Sequence, residues 1–321
     1  MKWGILGCGG IAGKFCDSMR SVPDGEVAAC ASRTPGKAAA FAETYGIGVH
    51  CEGYEALLAM DEVDAVYVAT THNFHHDNVI QALRAGKHVV CEKPLSVSRK
   101  EAESMAARAR ERGLFLMEGM WTRFLPAILQ TKRWLREGRI GEVRMFRADF
   151  CIQKDFDPNH RLFNPELAGG ALWDTGIYPV AMASMVMNGE QPQEVRALAD
   201  VGETGVDEAM AMVFRYAGGV TGLLSCAVRT PSDNRVEICG SEGRIVIPRN
   251  FLGTDRVELH RTGAEVEVFE ETFAGKEGFR FEILAAQAAI RKGEGDCAEM
   301  TVEESVAVAE TMDRIRAVAM G

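Results

Sequence analysis

The sequence has no C-x-x-C pair, no long apolar run and no excess of positive charge, and each absence narrows what the chain can be. Its nine cysteines are an odd number, scattered along the chain. They fit reduced, mostly buried thiols rather than a disulfide framework or a zinc ribbon. No uncharged apolar stretch approaches the roughly 20 residues that a membrane span requires. Lysine and arginine total 36 against 46 aspartate and glutamate, for a formal net charge of -10. A nucleic-acid surface needs the opposite balance, so no nucleic-acid partner is expected. Met1-Lys2 runs directly into an apolar strand, so no signal peptide and a cytoplasmic location are expected. Repeats and low-complexity tracts are missing too. What remains is 321 residues, 47% hydrophobic and 26% charged, the profile of a globular protein with two domains.

The first positive signal lies at the start. Trp3 to Leu6 reads as a short buried strand that breaks at Gly7, and the helical spacing of Ile11, Phe15 and Met19 follows at once. Gly7, Gly9 and Ala12 fall on the G-x-G-x-x-A pattern of a dinucleotide-binding turn, with Gly10 and Ile11 inside it. The first glycine makes the turn, the second lets a pyrophosphate approach the backbone, and the third position packs helix on strand. The helix start offers N–H groups and a partial positive charge to that anion. Alternating strand and helix texture continues to Met117, which predicts an α/β fold with an N-terminal Rossmann dinucleotide-binding domain over 1–119.

A second strand, Val27 to Ala31, ends at Ser32-Arg33-Thr34, where such a domain reads the adenosine ribose. No carboxylate stands there to accept from a 2′-hydroxyl. Arg33, with Lys37 a helical turn further on, suits a 2′-phosphate instead, so NADP is expected over NAD. The strand from Asp64 to Thr70 leads into Thr71-His72-Asn73-Phe74-His75-His76. Thiolate or carboxylate partners at ligand spacing are missing, so the histidines read as part of a nucleotide-facing loop and no metal is expected. Gly86 to Cys91 supplies a fifth strand, ended by Glu92-Lys93-Pro94. Ligands bind at such strand ends, which makes Lys93 a candidate catalytic lysine.

From 120 to 321 the texture changes. After a helix at Pro126 to Arg136, period-two patterns recur at Gly141–Gln153, Glu194–Val201, Ala209–Tyr216, Val220–Val228, Arg235–Ile238, Arg244–Ile247, Arg256–His260 and Glu265–Glu271. Short turns between them predict an α+β domain with a large, mainly antiparallel open sheet. Two helices close the chain, Glu277–Lys292 and Val302–Val318, the latter capped by Thr301 with Glu304 three residues on. Helices on one side of that sheet would leave its other face to a second copy, so a homodimer is expected. The chemically loaded piece is Gly169 to Pro179: if the turn runs into a helix, Asp174 and Tyr178, four residues apart, share a face. Spacing alone leaves two readings of that pair open, a substrate site or a capping aspartate with a core tyrosine.

The glycine turn, Thr70-Thr71-His72 with His75, and Ala85-Gly86-Lys87-His88-Val89 into Glu92-Lys93-Pro94 together resemble the glucose-fructose oxidoreductase/inositol dehydrogenase family. Gly169-Gly170 through Asp174, Gly176 and Tyr178 matches that family's G-G-x-x-x-D-x-G-x-[HY], whose carboxylate and His or Tyr line the substrate site. Tyr178, the Met117–Phe124 segment, Phe150, Gly278-Phe279 and Cys297–Thr301 look most like its dimeric dihydrodiol dehydrogenase and NADP-linked D-xylose dehydrogenase branch. The chain departs from the family at Thr70-Thr71-His72, where Thr-Pro-Asn is usual, and at Gln287, which replaces a histidine.

The resemblance implies a role for Lys93 beside the nicotinamide and the reacting hydroxyl, a cis bond at Lys93-Pro94, and further coenzyme contacts from Glu92, Pro94, Trp121 and Arg123. Trp121, Phe150 and Phe279 would wall the substrate site with Lys93, Asp174 and Tyr178. The implied reaction is hydride transfer between NADP and a carbinol carbon of a small polyol, sugar or cyclic diol. A phenol's ordinary pKa of about 10 is high for a base, and a nearby ammonium favours the phenolate. Tyr178 would then carry the proton, with Lys93 tuning it and holding the hydroxyl and Asp174 orienting one of the two; a variant gives the proton to Lys93, with Tyr178 only positioning. The rival readings are a non-catalytic nucleotide sensor and a redox-cycling enzyme that holds its NADP tightly.

Overall fold

The structure, a computed structural model, describes residues 1–273 and 277–320. The chain divides into two compact units, Met1–Trp121 with Ala274–Val306, and Thr122–Phe273 with Ala307–Gly321.

The first unit alternates strand and helix: β1 (Lys2–Leu6), α1 (Gly10–Met19), β2 (Glu26–Ser32), α2 (Lys37–Tyr45), β3 (Val49–Glu52), α3 (Glu55–Leu58), β4 (Ala65–Val68), α4 (His75–Arg84), β5 (His88–Glu92), α5 (Arg99–Arg112) and β6 (Leu116–Gly119). Among the described residues these strands form one six-stranded parallel sheet in the order β3-β2-β1-β4-β5-β6. That is the doubly wound order whose reversal, between β1 and β4, opens a crevice at the strand ends. Covered on both faces, the central strands carry near-continuous apolar runs such as Ala65-Val66-Tyr67-Val68, all fully buried. Phe15 of α1 stacks on Tyr67 at 4.0 Å between ring centroids and meets Trp3 edge-on at 5.5 Å. Strand β3 escapes sequence reading because it is a short edge strand with three of its four residues exposed, so it lacks apolar alternation.

The second unit begins with α6 (Pro126–Arg136) and β7 (Val143–Cys151), passes through α7 (Ile177–Val186), and continues with β8 (Glu194–Val201), β9 (Asp207–Arg215), β10 (Thr221–Ala227), β11 (Val236–Gly240), β12 (Gly243–Ile247), β13 (Arg256–Arg261) and β14 (Glu267–Glu270). Among the described residues they form an eight-stranded sheet in the order β14-β13-β12-β11-β7-β10-β9-β8. Every pairing is antiparallel except β7 with β10, which are parallel. The hairpins β8-β9 and β9-β10 bring β10 back beside the much earlier β7, a long-range pairing that local texture does not specify. One face is apolar and buried, with Phe146, Met210, Met212, Phe214, Leu224 and Ile238. Two helices complete the chain, α8 (Phe279–Lys292) and α9 (Val302–Met320). The Thr301 hydroxyl accepts the Glu304 N–H at 3.1 Å, as the sequence predicts.

Candidate functional site

In the first unit the strand–turn–helix at the head of the sheet has the form its glycines require. Gly7 has φ +99°, and a Cβ there would lie 2.7 Å from the Ala69 carbonyl oxygen. At Gly9 and Gly10 a Cβ would meet no heavy atom within 4 Å. No side chain caps the start of α1 and its first turn holds no acid. The turn thus combines open space with uncommitted helix N–H groups, which suits a pyrophosphate. Ala12 is fully buried, and the close approach falls one residue later, where a Cβ on Gly13 would lie 2.2 Å from the Tyr45 hydroxyl.

At the end of β2, the Ser32 hydroxyl accepts the Thr34 N–H at 3.1 Å. The Arg33 guanidinium lies 4.2 Å from the centre of the Phe74 ring and 5.4 Å from that of Tyr54. Aromatic contact on its flat faces leaves the edge N–H groups able to grip an anion. Lys37 opens α2 and is exposed. Glu52, which sequence reading missed, is paired in register with Ser32 and accepts the Gly36 N–H at 3.1 Å. It therefore closes the turn that carries Arg33.

The Thr70-Thr71-His72 loop is tied down by its neighbours. Asn78 donates to the Thr70 hydroxyl at 3.0 Å, Thr71 donates to the Asn73 side-chain oxygen at 2.8 Å, and His72 meets His75 edge-on. His75 is fully buried, with Nδ1 2.8 Å from the Pro94 carbonyl oxygen and Nε2 3.2 Å from that of Thr70. Burial pushes its pKa down to about 4, so the ring is neutral and has a single proton to share between two acceptors. This histidine links the Thr70 loop to the Lys93-Pro94 bond, which is cis. His76 turns instead to Asp77 and Ser104. Glu92 is buried and accepts the Tyr67 hydroxyl; Lys93, next along, is half-buried. Trp121 and Phe279 stack at 5.1 Å with their planes 15° apart. One fully buried acid of α8, Glu282, has no hydrogen-bond partner among the described residues, and burial followed by the nearby Glu92 holds its pKa well above the carboxylate range.

In the second unit the Gly169-Gly170 pair is fixed by packing. A Cβ on Gly169 would lie 2.7–2.8 Å from the carbonyl oxygens of Arg161, Asn164 and Leu162. Gly170 has φ +116° and donates to the Leu162 carbonyl at 2.8 Å. The chain next enters a π-helical stretch, Leu172–Gly176, before α7 begins at Ile177. Asp174 lies in the π segment and Tyr178, four residues on, in the α segment that continues it. Single π turns of this kind recur at functional sites. Asp174 is buried and takes an ion pair from Arg161 at 2.9 Å. Tyr178 is buried, with Phe150 edge-on to it at 5.2 Å. The buried Arg123 donates to the Ala181 carbonyl of α7 at 3.0 Å. Sequence reading missed Arg161 because the chain around it is irregular and without periodicity. Its carbonyl packs against Gly169 while its side chain reaches Asp174.

An open glycine turn on a doubly wound sheet, with an acid and a phenol on a second α+β unit, defines a nicotinamide-dependent oxidoreductase architecture. Residues 1–120 match the model of an oxidoreductase family with an NAD-binding Rossmann fold, and residues 128–246 match the GFO/IDH/MocA C-terminal domain. The chain belongs to the GFO/IDH/MocA oxidoreductase family. It is 33% identical over 318 residues to a trans-1,2-dihydrobenzene-1,2-diol dehydrogenase of Xenopus tropicalis, covering 97% of this chain and 96% of that one. The Mus musculus enzyme of the same name is also 33% identical, over 98% and 96% of the two chains. A solved 3-ketoreductase from Actinomadura kijaniata, in complex with NADP and TDP-benzene, is 34% identical with a TM-score of 0.87, over 99% and 98% of the chains. Levoglucosan dehydrogenase in complex with NADH and levoglucosan shares the fold, with a TM-score of 0.90 at 22% identity over 100% and 97% of the chains. Among the described residues no helix is long and apolar enough to cross a membrane.

Proposed function

We propose that the chain transfers hydride between NADP and a carbinol carbon of a small diol, polyol or sugar. The observation that carries this reading is the uncapped helix start at Gly9 and Gly10, open to a diphosphate, beside a β2 end that presents Arg33 and no carboxylate of its own. The N–H groups from Gly9 to Ala12 hold the diphosphate, and Arg33 with Ser32, Thr34 and Lys37 holds the 2′-phosphate. The Thr70–His75 loop and the Glu92-Lys93-Pro94 turn, joined through His75, border the nicotinamide end, with Trp121 and Arg123 as further coenzyme contacts. Bound, the coenzyme supplies a hydride acceptor or donor at its nicotinamide ring. Tyr178 moves the hydroxyl proton and Lys93 orients that hydroxyl; the reverse assignment of these two roles is equally consistent with their chemistry. Asp174, held by Arg161, orients the substrate. Phe150, Trp121 and Phe279 supply apolar walls. The diol dehydrogenase relatives support the diol class, and the ketoreductase complex supports NADP.

Two accompanying assignments belong to the same proposal. The chain works in the cytoplasm, a reading supported by nine cysteines that are all free thiols. It pairs with a second copy through the outer face of the eight-stranded sheet. There Leu198 (79% exposed), Val213, Leu223 and Val318 surround a depression of about 560 Å³ edged by Arg147 and Arg196. The test of function is incubation with NADP and, in turn, trans-1,2-dihydrobenzene-1,2-diol and a panel of aldoses, following the absorbance of reduced nicotinamide. Reduction with at least one of them is expected; none with any, at substrate up to solubility, overturns the reading.

A further inference from the structure

We propose that Asp207 is a positioning residue for the candidate site: its carboxylate holds the start of the π-helical stretch and, through it, Asp174 and Tyr178. This rests on the functional reading of those two residues given above. A helix start needs acceptors for its first N–H groups, and a Ser, Thr or Asp at the cap normally supplies one. Here the cap position is Ala171, preceded by Gly170; neither has a side chain that can accept a hydrogen bond, and no side chain caps the stretch from that position. The acceptor comes from β9 instead: Asp207 Oδ2 takes the Leu172 N–H at 2.6 Å. The two positions are mutually fitted, because a Cβ on Gly170 would lie 2.3 Å from Asp207 Oδ1. The Thr175 hydroxyl donates to the Ala171 carbonyl at 2.8 Å and tightens the same turn. Arg161, which holds Asp174, leads into the turn over which Gly169 and Gly170 pass. A shift of the Leu172 amide therefore moves the helical run that carries Asp174 and displaces the acid against Arg161.

Asp207 is buried, and burial pushes its pKa up to about 6, opposed by the bond from the Leu172 N–H and by the charge of Arg316 on α9. Cys226 on β10 also faces it, its thiol pKa raised by burial and then by Asp207; Glu208, next on β9, is paired to Arg229 at 3.1 Å. Protonation near pH 6 turns a charge-assisted bond into a neutral one, roughly halving its strength. Raised above its unfolded value, this group stabilises the fold when it takes up a proton, so its ionised form is retained at neutral pH against stability.

Three measurements test this on the full chain. The protein has five tyrosines, so ring-labelled tyrosine NMR gives five signals, and the Tyr178 signal is the one lost in Tyr178→Phe. Between pH 7.5 and 5 that signal is expected to shift with a midpoint near 6 in the native protein and to stay fixed in Asp207→Asn. With NADP and trans-1,2-dihydrobenzene-1,2-diol, or the panel sugar that reacts best, Asp207→Asn is expected to lower kcat about tenfold at pH 7.5, the worth of a charge-assisted over a neutral bond, with KM for NADP unchanged. Its melting temperature at pH 7.5 is expected to equal or exceed that of the native chain. An unmoving Tyr178 signal in the native protein, or native kcat in Asp207→Asn while Tyr178→Phe is impaired, overturns the proposal. If Tyr178→Phe is fully active, the functional reading of the site fails, and this inference with it.

Discussion

At the residue scale, two side chains separate chemistry from architecture. Tyr178 is buried against Phe150, and Phe preserves that edge-on ring contact while removing only the hydroxyl. Positioned acid–base groups contribute about 10²- to 10⁴-fold in rate. Tyr178→Phe is therefore expected to lower kcat by that factor with NADPH affinity retained, as measured by steady-state kinetics beside fluorescence titration; an unchanged kcat would remove Tyr178 from the mechanism and overturn the functional reading of the site. His75 has the opposite character. Its neutral ring bridges the Thr70 and Pro94 carbonyls, and its pKa of about 4 lies below the unfolded value of about 6.5. The unfolded chain takes up the proton first, so this contribution to stability is present above pH 6.5 and is lost as pH falls toward 4. Between pH 7 and 5 the native chain should lose about 2 kcal/mol that a His75→Gln variant does not. Urea titrations at the two pH values check this, and equal losses in both proteins would show that His75 is not the titrating group. The bridging role was not legible in the sequence, because the Pro94 carbonyl lies 19 residues from the ring it meets.

At the scale of the element, the opening strand–turn–helix was readable because each glycine answers a local backbone demand. Those demands differ, and their difference is testable. Gly7 sits at φ +99° against the Ala69 carbonyl, so Gly7→Ala forces a methyl into that carbonyl at a backbone angle side chains rarely adopt and should cost well over about 1 kcal/mol of stability. Gly9 has extended backbone (φ -97°, ψ -178°) and open space, so Gly9→Ala should fold normally and weaken NADP binding instead. Thermal melts with and without NADP separate the two, and equal behaviour of the variants would remove the distinction. The Gly169-Gly170 pair was equally visible as a motif, but its reason was not. It exists because carbonyls of the 161–164 turn and the carboxylate of Asp207 approach from elsewhere in the second unit. The π-helical form of Leu172–Gly176 was hidden for the same cause, since its first amide is satisfied from β9, 35 residues away.

At the scale of the whole molecule, the outer face of the eight-stranded sheet carries the assembly prediction. Leu198 is the most exposed of its large apolar side chains and stands beside Arg196. Leu198→Arg should add like charge where two copies meet and shift the protein from dimer toward monomer at micromolar concentration, as read by light scattering. A native chain that is already monomeric there would overturn the pairing.

Taken by itself, the sequence determined the kinds of elements apart from β3 and the π turn, the parallel first sheet, the glycine turn and the absence of a carboxylate from the end of β2, because each depends on residues adjacent in the chain. The tertiary structure alone decided the parallel pairing of β7 with β10, the Arg161–Asp174 tether, the bridge through His75 and the hold of Asp207 on the π turn. These join groups brought together only when the apolar faces are buried, and no local pattern of side chains records which distant partner will then lie within reach.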